Sequence, residues 1–369
     1  VIGTLRLLLV TDAVGGVWVY SLELARALRP LGVETVLAVM GPSPDETRRA
    51  QASGLKLVET GLPLDWMDTS PGEVNQASDA IAEIAARESA DVVQTCSAAL
   101  LAHSSFGRPC VAVQHSCVAS WWASVKGTPL PPEFEWRREL VELGLNRAAC
   151  VVAPSAAFAA ETARIYDLAS AVLSVHNGRS PIAPSLVAQV DFVLIAGRLW
   201  DQGKNVATLD SAAALLKVRF EAAGAVQGPN GARIGFEHLR LLGEVSPARL
   251  AGLRAARPIF ASAAVYEPFG LSALEAAQAG CALVLSDIPT HRELWSDCAI
   301  FVPAGGETAF ADAIQRLLDN RDEREELGRG ACARAALYTA DSMARAMAEI
   351  YARVAEPQVH GVMALASPA

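Results

Sequence analysis

Short, almost unbroken apolar runs alternate along this chain with longer stretches in which apolar positions recur every three or four residues. Leu5–Val10 is the first run, and the spacing over Val17–Leu31 predicts a helix that Gly32 ends, since glycine favours that position. Val33–Met40 and Leu55–Glu59 read as strands, Asp79–Glu88 as a helix, and Asp91–Cys96, Cys110–His115, Cys150–Pro154 and Val172–His176 as further strands. Strands this uniformly apolar must be covered on both faces, which implies a parallel sheet with helical crossovers. Ser180-Pro181-Ile182-Ala183-Pro184 breaks the rhythm and predicts a hinge. The alternation then restarts. Phe192–Ala196, Leu239–Leu242, Pro258–Ala261, Ala282–Ser286 and Ala299–Val302 read as strands, and Val206–Leu216 and Leu271–Ala279 as helices. Three more helices are expected around Thr308–Leu318, Asp322–Ala335 and Asp341–Val354.

The expected architecture is therefore α/β, with two doubly wound parallel-sheet units of Rossmann-like type. Residues 1–183 form the first unit and 184–340 the second; a helix over 341–356 packs back on the first, and 357–369 is a frayed tail. Two such sheets facing each other make a cleft, because open α/β sheets bind ligands outside the carboxyl ends of their strands. The length of 369 residues suits two domains. With 52% apolar and 19% charged residues the chain is not disordered. A net charge of −9 argues against a dedicated nucleic-acid binder. No apolar run approaches the ~20 residues of a membrane span, and Val1–Val10 runs into Thr11-Asp12 without a cleavage-site pattern. Seven scattered cysteines without a C-x-x-C pair suggest reduced thiols and a cytoplasmic setting.

The densest chemical signal is Tyr266-Glu267-Pro268-Phe269-Gly270-Leu271-Ser272-Ala273-Leu274-Glu275, with two glutamates eight positions apart. Pro268 biases Glu267 away from helical geometry. Glu275 falls early in a helix, near the positive end of its dipole. Phe269, Gly270 and Leu271 offer free backbone N–H groups, an anion site. A carboxylate also suits vicinal hydroxyls. Acid, anion-binding backbone and acid together fit a ligand with sugar hydroxyls at both ends and phosphates between; the plainer alternative is a capped helix with two surface glutamates.

E-P-F-G-L-x-x-L-E resembles the E-x(7)-E signature of retaining glycosyltransferases of family 4, which are built on the two-domain GT-B fold. The resemblance implies that Glu275 holds the ribose hydroxyls of a nucleotide, that Glu267 contacts the transferred sugar, and that the amides of Phe269, Gly270 and Leu271 meet the sugar and β-phosphate. Gly197-Arg198 followed by Lys204 resembles the family's two cations on the donor diphosphate, where fixed positive charge offsets what builds on a leaving group. Lys204 is one of only four lysines; apart from the family it reads as a solvated helix-start residue. Asp12-Ala13-Val14-Gly15-Gly16-Val17 is not G-x-G-x-x-G, yet resembles the family's glycine pair facing the donor, with Asp12 orienting an acceptor hydroxyl. His115 stands where the family places a histidine beside the transferred sugar; a lone strand-end histidine is otherwise structural.

Looser pieces follow the same order. Trp121-Trp122, with Lys126 nearby, could stack on an acceptor sugar, touch a lipid interface or pack in the core, and packing is the default. His176-Asn177-Gly178-Arg179 resembles the family's N-G turn, its Gly serving backbone geometry and Arg179 being either a surface charge or an acceptor contact. Gln227-Gly228-Pro229 resembles a phosphate-side loop, and Gly243-Glu244-Val245 a base pocket in which backbone around Val245 reads the nucleobase edge. Val218–Val226 is less apolar than the family's strand at this place. Ser286-Asp287-Ile288-Pro289 and Arg292-Glu293 resemble the segment after the glutamate pair, with Glu293 read as a helix or loop acid.

The function so implied is retaining, front-face transfer of a sugar from a nucleoside-diphosphate donor to a hydroxyl acceptor: a sugar, a lipid-linked sugar or a small molecule. A weak membrane-surface association fits the lipid-linked case. No cofactor is expected and no metal, because the sequence has no D-x-D; the nearest pairs are Asp65/Asp68 and Asp319/Asp322. H-E-x-x-H and zinc spacings are also missing. The competing readings are a GT-B-type epimerase or hydrolase and a non-catalytic nucleotide-sugar-binding protein.

Overall fold

Two parallel sheets, each flanked by helices, face one another in the computed structural model, which describes residues 4–67, 69–182, 187–228, 231 and 233–356. The first unit runs β1 (Leu5–Asp12), α1 (Gly16–Leu28), β2 (Val33–Met40), α2 (Glu46–Gln51), β3 (Lys56–Glu59), α3 (Pro71–Arg87), β4 (Val92–Thr95), β5 (Cys110–Val113), α4 (Val118–Val125), α5 (Pro132–Arg147), β6 (Cys150–Ala153), α6 (Ala156–Ile165) and β7 (Leu173–Ser174). Its sheet order is β3-β2-β1-β4-β5-β6-β7. Consecutive residues Leu7, Leu8 and Leu9 are all buried because the sheet is covered on both sides. Leu7 and Leu9 join the core under α1, and Leu8 and Val10 the core under α3.

The second unit runs β8 (Val193–Ala196), α7 (Val206–Ala214), β9 (Phe220–Ala223), β10 (Arg240–Gly243), α8 (Pro247–Ala255), β11 (Ile259–Ser262), α9 (Leu271–Gln278), β12 (Ala282–Ser286), α10 (Pro289–Trp295), β13 (Ile300–Val302), α11 (Glu307–Asp319) and α12 (Arg321–Ala335). The order β10-β9-β8-β11-β12-β13 repeats the reversal of the first sheet. In each sheet the order switches beside the first strand, between β1 and β4 and between β8 and β11, and a crevice opens there.

The final helix, α13 (Ala340–Ala355), lies against the first unit. Met343, Ala344, Met347, Ile350 and Tyr351 share one core with Leu7, Leu9, Trp18 and Leu24. Tyr351 donates its hydroxyl to Gln94, whose amide donates in turn to Tyr20. The chain thus crosses between the units twice, and the crossings run side by side: Arg179 N–H donates to Tyr338 O (3.1 Å) and Ala340 N–H to Arg179 O (3.1 Å). Ser180, in the expected hinge, is pinned by its N–H and hydroxyl to Glu23 of α1. Ala183 and Pro184 of that hinge, Asp68, Pro229 and the tail 357–369 lie outside the described residues.

Periodicity missed several elements. α3 begins eight residues before Asp79, at Pro71; its signal was the capping box of Ser70 with Glu73. α5 has no clean apolar stripe. β9 was obscured by Glu221, which is buried in the strand between Arg219 and Arg240, each 3.2 Å away.

Gly178 takes no left-handed backbone; it is needed for close approach, since a Cβ there would lie 2.0 Å from the Thr339 carbonyl oxygen. Gly178→Ala should therefore destabilise the protein by about 1–3 kcal/mol, the usual range for overpacking. Chemical denaturation measures this; an unchanged midpoint would mean that the paired crossings part freely.

Candidate active site

The loops after β8 and β11 meet at the switch point of the second sheet. Gly203 O accepts both Val265 N–H (2.9 Å) and Tyr266 N–H (3.2 Å). Asn205 ties the same turn to Ala263 O (3.1 Å) and Ala304 O (2.8 Å). Gly197, Arg198, Lys204, Glu267, Gly270, Ser272 and His291 line the cavity between the loops. Lys204 Nζ is ion-paired with Glu267 Oε2. Arg198 is paired with Asp201 Oδ2 at 2.9 Å. Burial alone would raise the Asp201 carboxyl, but Arg198, the Trp121 indole and Lys204 outweigh it and hold the group below the usual range. α9 starts at the left-handed Gly270 without a side-chain cap, which leaves first-turn N–H groups for an anion.

The first unit presents its glycine pair to these groups. Gly15, at φ 73°, sits where a Cβ would be 3.8 Å from Arg198 Cδ, and a Cβ on Gly16 would be 3.4 Å from Leu271 Cδ1. Asp12 ends β1, 9% exposed, and accepts Val14 N–H at 2.7 Å. Burial pushes its carboxyl up to about 6, against the pull of that N–H and of Arg198. His115 packs edge-on to Tyr20, with ring centroids 4.3 Å apart. Burial drives its imidazole down to about 4, so it is neutral at pH 7, and its buried Nε2 has no protein partner.

Other expected residues do not line this cavity with their side chains. Phe269 turns its ring into the core beside Tyr338. Glu275 is absent from the cavity lining; Arg254 and Arg179 (3.0 Å) both grip its carboxylate. Arg179 also pairs with Glu23 at 2.7 Å, so two carboxylates hold it at the domain crossing. The Trp121 indole N–H donates to Asp201 Oδ1 (3.0 Å) across the domain interface. Trp122 bonds Thr128 and packs by Phe134 on the outer flank. Val245 sits half-buried between β10 and α8, apart from the cavity.

The sequence reading missed Asp201, Ser272 and His291. Asp201 had a local signal, since its Oδ1 accepts Gly203 N–H two residues on (2.9 Å). His291 had none. It is buried under the cavity, with Nδ1–H donating to Ser286 O at 2.9 Å, and burial lowers its basicity although Glu267 is near. A second crevice, of 420 Å³, opens behind Tyr266–Pro268 between α4, α6 and α10. Among the described residues no three His, Cys, Asp or Glu side chains gather in a metal-binding set, and no helix is long and apolar enough to cross a membrane.

Two family models match the chain: Glycosyltransferase Family 4 over residues 14–181 and Glycosyl transferases group 1 over residues 191–320. A phosphatidyl-myo-inositol mannosyltransferase of Mycobacterium leprae is 39% identical over 92 residues, which is 24% of this chain. That match spans 25% of the relative's length. Sucrose-phosphate synthase of Thermosynechococcus elongatus superposes with a TM-score of 0.75 at 17% identity, over 95% of this chain and 99% of that one. HepE of Anabaena, solved with UDP and glucose, gives 0.73 at 16% identity, over 94% and 99%. At these identities the structures speak for the fold, which is GT-B, and the family models cover one unit each. The chain belongs to glycosyltransferase family 4.

Proposed function

We propose that this protein transfers a sugar from a nucleoside-diphosphate donor to a hydroxyl acceptor, with retention at the anomeric carbon and without a metal ion. The observation that carries this reading is the convergence of Arg198, Lys204, Glu267 and the uncapped start of α9 on one cavity, with Gly15-Gly16 opposite. The donor diphosphate takes the place of Asp201 and Glu267 as the partner of the two cations, and α9 N–H groups add to the positive potential. Glu267 contacts the transferred sugar, and the unpartnered Nε2 of His115 bonds one of its hydroxyls. Glu275 accepts the ribose hydroxyls on lone pairs its two arginines leave open. In a front-face step the bond from the anomeric carbon to the diphosphate oxygen breaks. The bond to the acceptor oxygen forms on the same side, and the acceptor proton passes to the leaving phosphate. Asp12 orients the acceptor. The relatives support the substrate classes: HepE is solved with UDP-glucose, and the mycobacterial relative is named for mannosyl transfer to an inositol phospholipid. The acceptor is accordingly a polyol or sugar hydroxyl, lipid-linked or free.

Arg198→Ala and Lys204→Ala should each lower kcat by about 10²–10³, the typical loss of one preorganised donor to developing charge. Steady-state turnover with a panel of nucleotide sugars, each with and without acceptor, is the measurement. Near-normal kcat in both variants would remove the diphosphate assignment, and fast donor loss without acceptor would mark a hydrolase. Transfer in excess EDTA should equal transfer in Mg²⁺ within about twofold, because fixed cations do the metal's work here. Restoration by Mg²⁺ of an activity lost to EDTA would refute metal independence.

Asp12 gives a pH prediction. Its folded carboxyl titrates near 6 instead of 3.8, so the charged form is disfavoured in the fold. That cost is absent below pH 3.8 and complete above about pH 6. Asp12→Asn should then stabilise the protein by about 2–3 kcal/mol at pH 7.5, with the gain fading towards pH 4, while transfer falls. Unfolding curves at both pH values test this; an equal gain at each would show that the buried charge is not the cause.

A further inference from the structure

Glu293 is an acid named in the sequence analysis to which the proposed chemistry gives no task. It belongs to α10, which is firmly seated: Leu294 and Trp295 are fully buried, Arg292 forks onto Asp287 at 2.6 and 2.7 Å, and Arg334 holds Leu294 O and Ser296 O. From this base the Glu293 carboxylate reaches into the other unit. Oε1 accepts Ala156 N–H at 2.8 Å and Oε2 accepts Ala157 N–H at 2.7 Å. His176 Nε2 lies 2.8 Å from Oε1. The carboxylate therefore occupies the N-terminus of α6, where negative charge is favoured, and holds the strand end leading into the first crossing. Burial opposes its ionisation, but His176 and the two amides prevail and keep it below the usual range.

Both groups that it grips touch the residues flanking Glu267. Ser155, the N-cap of α6, bonds Phe158 N–H and donates its hydroxyl to Pro268 O at 2.8 Å. The His176 ring lies 6.4 Å from that of Phe269. Pro268 and Phe269 directly follow Glu267. A change in the seating of α6 or His176 on the second unit would thus be felt one residue from that carboxylate.

We infer that Glu293 is a positioning residue, a polar clasp between α10 and the α6 N-terminus that sets the angle at which the first unit meets the Glu267 loop. Neither Glu293 nor His176 lines the cavity that holds Arg198 and Lys204, and the clasp rests on the reading of Glu267 given above. It separates binding from chemistry: the donor can bind the second unit with the clasp open, but transfer needs both units in register. Misplacement by about 1 Å can cost roughly 100-fold in rate.

Glu293→Gln keeps the shape but turns one oxygen into an N–H₂ that must face an N–H donor. It should lower kcat by about 10- to 100-fold, leave the donor Kd from calorimetry within about twofold, and broaden the inter-unit distance between spin labels. Ser155→Ala should act in the same direction, and the double variant should lose less than the two single losses combined. Ser155→Ala also carries the test by itself if Glu293→Gln does not fold. Unchanged kcat in both variants, a donor Kd that weakens in step with kcat, or independent effects in the double variant would each overturn the clasp. Failure of the functional reading looks different, because the parent protein would then bind no nucleotide sugar or turn none over.

Discussion

A parallel sheet buried on both faces has nowhere to put polar chemistry except at its strand ends, and this constraint organises the whole molecule. Leu7, Leu8 and Leu9 in β1 and Leu283, Val284 and Leu285 in β12 leave no exposed face. Polar side chains are left to gather in the loops that leave the carboxyl ends. The shared reversal of strand order opens one crevice per sheet, and the groups with evident chemistry stand there: Asp12 and Gly15 after β1, Arg198 after β8, Glu267 after β11.

The two units are joined in two physically different ways. α13 is attached by apolar packing, with Met343, Met347 and Tyr351 in the core of the first unit, so it remains docked as long as the fold persists. The contacts across the cleft are mostly polar, gathered around one small apolar cluster in which Tyr266 packs on Ala153, Phe158 and Ala159. Trp121 meets Asp201, Lys126 meets Gln202, Tyr266 meets Ser116 and Ser120, and Glu293 meets α6. Water can replace polar contacts at small net cost, which is the character expected of a surface that opens to admit a ligand.

Charge in the cavity follows the same logic. Arg198 and Lys204 are each already neutralised by a carboxylate, since an unpaired, partly buried charge would be expensive. Under the proposed function, an arriving diphosphate would exchange one partner for another, and the carboxylates so released would accept hydroxyl hydrogen bonds.

The alternation of apolar runs carried the fold class, the two sheets and most strands, because burial on both faces writes itself into composition residue by residue. Glycines, cations and the glutamate pair after β1, β8 and β11 were also legible, since each depends on a strand end and the few residues after it. Elements stabilised mainly by tertiary contacts were not: α5 lacks a clean stripe, and β9 hides a buried glutamate that distant Arg240 compensates. The partners of side chains were the least legible. A ligand contact was one of several readings open to Arg179 and Trp121, and Glu23, Glu275 and Asp201 engage them from positions 80 to 156 residues away. His291 and Glu293 acquire their places only when α10 swings under the cavity and against α6. Backbone conformation and burial are local enough to be determined by the sequence pattern itself; which charge neutralises which is a property of distance in three dimensions, and only the tertiary structure decides it.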